Sequence, residues 1–517
     1  MKTIIENNLE IVNSIREIYR SDSIMVRKMI EKHFIPSKEE KKNNAEIPTS
    51  IILVEEMLDK VPVEYWSSTT NKTFEPCCGK GNFVLGVVDR MLKGLEHIED
   101  KKDRCMIVMR NLYYADITNL NVFITTEILK CHLEKYCNGE VLEFSFNKYI
   151  GNTLELDIKT NWNIEGFELV VGNPPYQKNF NNENGRVGGS SLWSEFINHV
   201  FPVIVENGFL LFITPCSWMT GGSNKQSGNI LNGIMKKNTV MYLNIEECNK
   251  YFTVGSTFSY YLVKKSIEDI SFTCITKYKK KIYTSLITQS SFRGLKVIPK
   301  LFTNLTISII NKVENRNETK FNLQRLYDLD IRRKDRYIIN KVENRNETKF
   351  NFQRLRDLDS SARKDRYIET GIYSIRHKVV DIRKSNYVQE CMNKHKIVIS
   401  MPGYIKTVYD FECGVSDASL FMYSENIEYS NYLIGLLDSK LYKFIINNYR
   451  ELTGLNNHKN INRLSIIPLI NTNIYDYFKL TDDEIKLIEN NVVVDISEII
   501  TEKPIDIPKS LHDLKIT

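Results

Sequence analysis

The chain of 517 residues lacks the features that mark several common classes of protein. Its 10 cysteines include no pair with zinc-ligand spacing, so we expect free thiols in a reducing compartment and no bound metal. No apolar run is long enough to span a bilayer, and the N-terminal segment mixes charged with apolar residues, unlike a signal peptide. These absences predict an intracellular, cytoplasmic protein without membrane contact.

The charge is not dominated by one sign. The chain has 70 Lys and Arg against 64 Asp and Glu, which gives a net charge of +6 and a pI near 8.5. This balance permits nucleic-acid binding without requiring it. Hydrophobic residues make up 42 % of the chain and charged residues 26 %, the proportions of a soluble globular protein. A chain of this length is expected to form two or three domains.

What the chain does show, from residue 48 to residue 265, is an alternation of short apolar runs with longer helical stretches. The runs that predict strands are 112–115, 167–171, 209–214 and 257–263. This alternation is typical of an α/β fold with a largely parallel sheet. Further along, the pattern predicts strands at 396–400 and 418–422 and one amphipathic helix at 432–449.

The strongest local signal is Asn173-Pro174-Pro175-Tyr176, which follows the apolar run 167–171. Sheets of α/β proteins place their ligands in loops just past the carboxyl ends of strands. An exocyclic amine such as adenine N6 is a poor nucleophile, but the Asn173 side-chain oxygen and the Pro174 carbonyl can accept its N–H groups and orient its lone pair. The prolines stiffen the loop, and the tyrosine ring offers a stacking surface. The alternative is a structural, proline-rich turn.

A second signal is the glycine loop Glu75-Pro76-Cys77-Cys78-Gly79-Lys80-Gly81, which precedes an apolar, helix-like stretch. Glycines between a strand and a helix let the backbone approach a nucleotide-like cofactor. The loop is neither a GxGxxG fingerprint nor a P-loop, so it favours neither a dinucleotide nor a nucleoside triphosphate. Asp116 closes the next predicted strand, where an acidic residue commonly binds ribose hydroxyls. A plain glycine turn and a helix-capping Asp remain the alternatives.

Together these motifs resemble the γ-class adenine-N6 DNA methyltransferases of bacterial restriction–modification systems, the Asn-Pro-Pro-Tyr family, including its versions from large DNA viruses. The resemblance extends over residues 45–470 and is strongest up to residue 265. It implies a Rossmann-like, S-adenosylmethionine-dependent methyltransferase domain of the α/β class, followed by a C-terminal mixed α+β target-recognition domain. It also implies that a flipped-out adenine of double-stranded DNA binds at Asn173, with Tyr176 and Phe252 stacking on its two faces. A core role for the aromatic residues 251 and 252 remains the alternative.

The resemblance also assigns contacts to the S-adenosylmethionine cofactor. The Glu75 carboxylate would face the methionine amino group, Asp116 would bind the ribose, and Asn152 would read the cofactor's adenine. The family loop, Asp-Pro-Ala-Cys-Gly-Ser-Gly, differs from the present loop at Glu75, Cys77 and Lys80. The cofactor-binding residues that the resemblance implies are Thr49, Glu75, Pro76, Cys77, Gly79, Gly81, Asp116 and Asn152.

The sequence predicts four parts: an N-terminal helical segment (1–45), the catalytic domain (46–290), the target-recognition domain (291–470) and a C-terminal tail (471–517). A nearly identical segment begins at Ile310 and again 29 residues later at Ile339, which indicates a recent tandem duplication, within 310–368, with one expendable copy. A basic stretch, residues 277–281, precedes the duplication. The expected partners are double-stranded DNA and a separate cognate restriction endonuclease.

Three other functions remain open from the sequence. A protein glutamine-N5 methyltransferase and an RNA adenine methyltransferase could use the same Asn-Pro-Pro-Tyr loop, and a catalytically silent DNA-specificity module could retain the fold. Pro215-Cys216 superficially resembles the nucleophile of cytosine-C5 methyltransferases. Because it follows a different predicted strand, we interpret it as structural.

Overall fold

The computed structural model of the chain describes a defined subset of its residues. These are residue 13 and residues 49–140, 143, 145–176, 191–220, 230–251, 257–325, 369–376, 379–385, 391, 393–401, 407–412, 414–415, 419–450, 457–468 and 473–492. The chain divides into two compact units, one of residues 1–307 and 448–454 and the other of residues 308–447 and 455–517. Apart from residue 13, the predicted N-terminal helical segment lies outside the described residues.

The first unit is built on one nine-stranded sheet. Its strands are β1 (Thr73–Glu75), β2 (Leu112–Asp116), β3 (Asn147–Ile150), β4 (Phe167–Gly172), β5 (Ile204–Pro215), β6 (Thr239–Ile245), β7 (Phe258–Lys264), β8 (Ser271–Tyr278) and β9 (Lys281–Thr288). Their order in the sheet is β3-β2-β1-β4-β5-β7-β6-β8-β9. The first five strands of this order are parallel, β7 is antiparallel to both its neighbours, and β6 and β8 pair parallel. The carboxyl ends of β1, β2, β4, β5, β6 and β8 therefore share one edge of the sheet, called here the carboxyl edge.

Helices connect and cover the strands of the first unit. They are α1 (Ile51–Leu58), α2 (Val63–Trp66), α3 (Asn82–Gly94), α4 (Lys101–Asn111), α5 (Asn119–Tyr136), α6 (Ile158–Trp162), α7 (Leu192–Val200) and α8 (Gln289–Gly294). Shorter turns of 3₁₀-helix lie at Thr153–Glu155, Cys216–Thr220 and Glu247–Tyr251, and a π-helical turn lies at Ile230–Met235. The central strands β2 and β4 are buried along almost their whole length, as expected for parallel strands covered on both faces.

The second unit contains two smaller sheets and a group of helices. The strands of the four-stranded sheet are, in spatial order, β10 (Gln324–Arg325), β16 (Ser419–Tyr423), β13 (Lys396–Ser400) and β14 (Thr407–Asp410). Those of the three-stranded sheet are β12 (Val379–Ser385), β11 (Glu369–Arg376) and β15 (Gly414–Val415). The helices are α10 (Ile427–Asp438), α12 (His458–Ile461), α13 (Ile474–Tyr477) and α14 (Asp482–Asn491); α9 (Asn304–Glu314) and α11 (Lys440–Arg450) contain residues of both units.

Most strands predicted from the sequence are confirmed, and one helix prediction is wrong. The runs predicted at 112–115, 167–171, 257–263, 396–400 and 418–422 correspond to strands displaced by no more than a residue at either end. The single helix predicted at 432–449 is instead two helices, because Ser439 adopts an extended conformation (φ −59°, ψ 147°). Its hydroxyl donates to the Leu436 carbonyl at 2.7 Å and accepts from the Tyr442 amide at 3.4 Å, so it caps both helix ends.

Candidate functional site

The glycine loop lies between β1 and α3 at the carboxyl edge. Gly79 and Gly81 adopt positive φ values of 50° and 89°. A Cβ atom on Gly81 would lie 3.0 Å from the Thr125 hydroxyl oxygen, so both its φ and the close approach of α5 require glycine. The loop is tied down by the Cys78 amide, which donates to the Ala115 carbonyl at 2.8 Å. The backbone of β1 is thereby held beside the end of β2.

Two buried carboxylates face this loop. Glu75 ends β1 and is 3 % exposed, and Asp116 ends β2 and is 7 % exposed. Burial raises the pKa of Glu75 well above its ordinary value, and the nearby charge of Asp116 raises it further. Within the described part of the chain, the Oε2 atom of Glu75 is buried and has no hydrogen-bond partner. A buried carboxylate oxygen in this state is costly unless a donor or cation reaches it, so Glu75 is a candidate binding residue.

Asp116 is held differently, through a set of hydrogen bonds. Its Oδ2 accepts from the Gly79 amide at 3.0 Å, and its Oδ1 accepts from the Thr118 amide at 2.8 Å and from Asn121 Nδ2 at 3.1 Å. Burial raises the pKa of Asp116, while these hydrogen bonds oppose the rise. Lys80, at the loop position that departs from the family motif, donates to the Asn121 side chain. Lys80 thus places a cation near Asp116, and its charge also opposes the rise in the pKa of Asp116.

The Asn-Pro-Pro-Tyr loop follows β4, the strand next to β1 in the sheet. The Asn173 side chain is held from both sides: its Nδ2 donates to Thr49 Oγ1 at 3.0 Å, and its Oδ1 accepts from the Tyr176 hydroxyl at 2.5 Å. The Cys77 thiol donates to the Asn173 carbonyl at 3.4 Å. The two sequence motifs, whose contacting residues Cys77 and Asn173 are 96 residues apart in the chain, therefore contact each other directly.

Tyr176 is buried, with 9 % of its surface exposed. Its ring packs against Phe258, with ring centroids 4.8 Å apart and planes inclined by 43°. Burial raises the pKa of its hydroxyl well above the ordinary value, so the group is a neutral donor to Asn173. Pro174 is buried and Pro175 is half-buried beside it. In this arrangement the tyrosine ring contacts Phe258, and its hydroxyl occupies the asparagine oxygen that the sequence assigns to a target amine.

The remaining predicted residues have varied positions. Thr49 precedes α1 and contacts Asn173, and its carbonyl accepts from Asn82 Nδ2 at 2.8 Å. Asn152 caps the turn Thr153–Glu155, because its oxygen accepts from the Leu154 amide at 3.2 Å and its Nδ2 donates to Glu155 at 2.7 Å. Phe252 lies outside the described residues. Cys216 is fully buried, and burial raises the pKa of its thiol to about 11, which leaves it protonated at neutral pH.

Two residues at the site, Thr153 and Glu56, were missed by sequence reasoning. The Thr153 hydroxyl donates to the Pro76 carbonyl at 2.6 Å and so joins the loop after β3 to the glycine loop. Glu56 of α1 accepts from the Tyr251 hydroxyl at 3.1 Å and from the Tyr260 hydroxyl at 2.7 Å, and so links residues on either side of segment 252–256. Neither residue belongs to a recognisable motif. Only the amphipathic pattern of α1, which places Glu56 beside buried Met57, could have drawn attention to one of them.

The described residues lack both a metal-binding cluster and a membrane-spanning helix. No group of three or more His, Cys, Asp and Glu residues there could hold a metal ion. No helix in the described ranges is long and apolar enough to cross a membrane.

The parallel centre of the sheet, with its glycine loop after β1 and acids at the ends of β1 and β2, is a Rossmann-like α/β arrangement, as the sequence predicted. Residues 110–252 match the model of the Eco57I restriction-modification methylase family. A Mycoplasma pneumoniae protein named an adenine-specific methylase is 24 % identical over 334 residues, which cover 52 % of this chain and 76 % of that protein.

A solved structure shows the same fold. The Type IIL restriction-modification enzyme MmeI, determined in complex with DNA, has a TM-score of 0.51 at 10 % identity, over 88 % of this chain and 72 % of that chain. At this identity the likeness concerns the fold alone. A DrdV–DNA complex has a TM-score of 0.48 at 14 % identity, over 90 % of this chain and 60 % of that chain.

Proposed function

We propose that this chain is a site-specific DNA methyltransferase of the restriction–modification type, which transfers a methyl group from S-adenosylmethionine to N6 of a flipped-out adenine in double-stranded DNA. The observation that carries the proposal is the direct contact, through Cys77 and Asn173, between the loop bearing Glu75 and the Asn-Pro-Pro-Tyr loop. An amine bound at Asn173 would therefore lie close to a cofactor bound by Glu75 and Asp116. The match of residues 110–252 to a restriction-modification methylase family supports the same assignment.

The residues present fit the cofactor. The unpaired Oε2 of Glu75 suits the cationic amino group of its methionine part, and the Asp116 carboxylate suits ribose hydroxyls. Thr49, Pro76, Cys77, Gly79, Gly81 and Asn152 would complete the binding surface. When bound, S-adenosylmethionine supplies an electrophilic methyl group on sulfur.

The protein's own contribution is to orient the target amine. Asn173 Oδ1 and the Pro174 carbonyl would each accept an N–H of adenine N6, which directs the nitrogen lone pair at the methyl group. S-adenosylmethionine held at Glu75 and Asp116 would supply the methyl group for the new N6–methyl bond as its own sulfur–methyl bond is lost, and the N6 nitrogen held by Asn173 would release one proton to solvent. For this to happen, the Tyr176 hydroxyl must give up or share its place on Asn173, and its ring becomes available to the flipped base together with Phe252. The C-terminal residues 291–470 would select the DNA sequence, and a separate endonuclease would cut the unmethylated site.

The test is methyl transfer from labelled S-adenosylmethionine to unmethylated duplex DNA, to RNA and to protein, with the product nucleoside identified by mass spectrometry. We expect N6-methyladenine in duplex DNA. Label found only in RNA or in protein glutamine would favour the alternative methyltransferases, and cofactor binding without any transfer would favour a silent specificity module.

The same assay separates the roles of the two motifs. We expect Asn173→Ala to lower kcat on the order of 100-fold or more while cofactor affinity is kept, because the amide acts on the target amine. Asp116→Ala should weaken cofactor binding first. Cys216→Ala is the matched control and should keep its activity, since no thiol nucleophile takes part. An Asn173→Ala variant with most of its activity would remove the basis of the proposal.

A further inference from the structure

The turn between β8 and β9 consists of lysines. Tyr278 pairs with Lys281, so the hairpin closes through only two residues, Lys279 and Lys280. Both have positive φ values, 45° and 67°. This is the backbone of a type I′ turn, which favours Asn-Gly because a side chain at positive φ is strained.

At this turn the chain departs from the usual preference for Asn-Gly and has positively charged residues instead. At the other described non-glycine positions with positive φ, the chain uses asparagine four times, at Asn138, Asn163, Asn207 and Asn393, and a charged residue at Glu246 and Lys479. Among the described residues, only the hairpin has two consecutive side chains at positive φ, and both are lysines, each at a cost on the order of 1 kcal/mol. Strain of this kind persists where function selects the residue rather than stability.

The hairpin is strongly and only positively charged. Residues 271–288 include Lys277, Lys279, Lys280 and Lys281 and no Asp or Glu. Lys280 and Lys281 are exposed, and no ion pair with an acidic side chain is found for either of them among the described residues. Lys280 and Lys281 are therefore available to an anionic partner, and together with Lys277 and Lys279 they form the lysine turn, residues 277–281.

The topology places this turn on the same side of the sheet as the catalytic loops. Because β8 runs parallel to β6, and β6 runs in the same direction as β4 and β5, the carboxyl end of β8 lies at the carboxyl edge. In the sheet order β8 is four strands from β4, which corresponds to on the order of 19 Å. Along B-form DNA that distance is about half a helical turn.

We propose that the lysine turn binds phosphates of the DNA duplex whose adenine enters the Asn173 site. The proposal rests on the proposed function. It identifies a sequence-independent contact within the first unit, which positions the duplex without reading bases. It also accounts for a basic stretch that the catalytic motifs leave unexplained.

The test uses the full-length double variant Lys279→Asn/Lys280→Gly, which removes two charges and installs the preferred residues of a type I′ turn. Its Tm should equal or exceed that of the wild type. The matched control is Lys237→Gln/Lys296→Gln, which removes two exposed lysines from the opposite edge: Lys237 precedes β6, and neighbouring Lys236 donates to the Leu295 carbonyl. Duplex binding is measured by fluorescence anisotropy from 50 to 300 mM salt (about the range over which phosphate contacts are lost).

We expect the slope of log K against log salt to become shallower by about 1 to 2 for the turn variant only. The DNA KM should rise while kcat and cofactor affinity stay the same. A slope and a DNA KM equal to those of the wild type, or the same change in the control, would overturn the inference. If the wild type methylates DNA and the turn variant is indistinguishable from it, the inference alone fails. If the wild type methylates no DNA, the proposed function fails.

Discussion

At the residue scale, the site is organised by the side chains that hold Asn173. The sequence assigned Thr49 to the cofactor and Tyr176 to the target base, whereas in the structure both hydroxyls contact the Asn173 amide. The contact with Thr49 fixes the position of the Asn173 side-chain nitrogen, so the side-chain oxygen faces Tyr176. This oxygen is therefore the amide atom that can accept a hydrogen bond from a target amine. Sequence motifs could locate these residues but could not show that they contact one another.

Glu75 gives a testable case of function opposing stability. Its pKa is raised above the ordinary 4.5 by burial and by Asp116, so the folded state binds this proton more tightly than the unfolded state does. The contribution of Glu75 to the free energy of unfolding is therefore fully present below pH 4.5 and is lost as the pH rises through the pKa of the folded state. We expect Glu75→Gln, without cofactor, to have a Tm a few degrees above that of the wild type at pH 8, with the difference narrowing towards pH 5.

The same variant should bind S-adenosylmethionine at least 10-fold more weakly, since a neutral amide cannot pair with its amino group. Thermal melts across pH and isothermal titration measure the two effects. Glu165→Gln, which alters an exposed carboxylate, is the control and should change neither quantity. Unchanged cofactor affinity in Glu75→Gln would contradict the assigned role.

At the element scale, periodicity was a good guide to strands and a poor one to interruptions. The buried strands β2 and β4 are continuous apolar runs with no competing helical period, and they were located within a residue. The helix break at Ser439 was missed because apolar residues continue in register on both sides of it. A single serine hydroxyl that caps two helices leaves almost no trace in a hydrophobic pattern.

The duplicated segment provides a prediction at this scale. In the first copy, Lys312 contacts Glu484 at 2.7 Å, the Leu323 amide donates to Asn462 at 2.7 Å, and Phe321 is buried. The second copy lies outside the described residues. Since the first copy already makes these contacts, we expect deletion of residues 339–367 to preserve Tm and the methylated sequence.

Lys312→Ala provides the contrast to that deletion, because it leaves the buried Glu484 carboxylate without its cationic partner. It should lower Tm, whereas Lys341→Ala, the corresponding change in the second copy, should not. Melting curves and sequencing of methylated DNA decide between the outcomes. Unfolding or altered specificity after the deletion would show that the second copy is a working part of the recognition surface.

At the scale of the whole molecule, the sheet that carries the glycine loop and the Asn-Pro-Pro-Tyr loop is followed by a further stretch of buried chain. The catalytic domain was predicted to end at residue 290, whereas the first compact unit continues to residue 307 and includes residues 448–454. Buried Phe292, Ile298 and Leu301 belong to this continuation. Linear motifs could not reveal this continuation, because the returning segment has no chemical signature and residues 308–447 of the second unit separate it from residue 307.

The contacts of Asn448 allow the contribution of the returning segment to the first unit to be tested. It is fully buried, its backbone carbonyl accepts from the Lys300 amide at 3.0 Å, and its Oδ1 accepts from the Leu301 amide at 2.8 Å. Asn448→Ala would leave the Leu301 amide buried and unpaired, which costs about 1–3 kcal/mol. Its neighbour Asn447 is also buried but its Oδ1 has no hydrogen-bond partner within the described residues, so Asn447→Ala is the control. Urea unfolding should show a clear loss in the free energy of unfolding for Asn448→Ala and a smaller loss for Asn447→Ala. Equal losses in the two variants would mean that the hydrogen bond from the Leu301 amide does not stabilise the first unit.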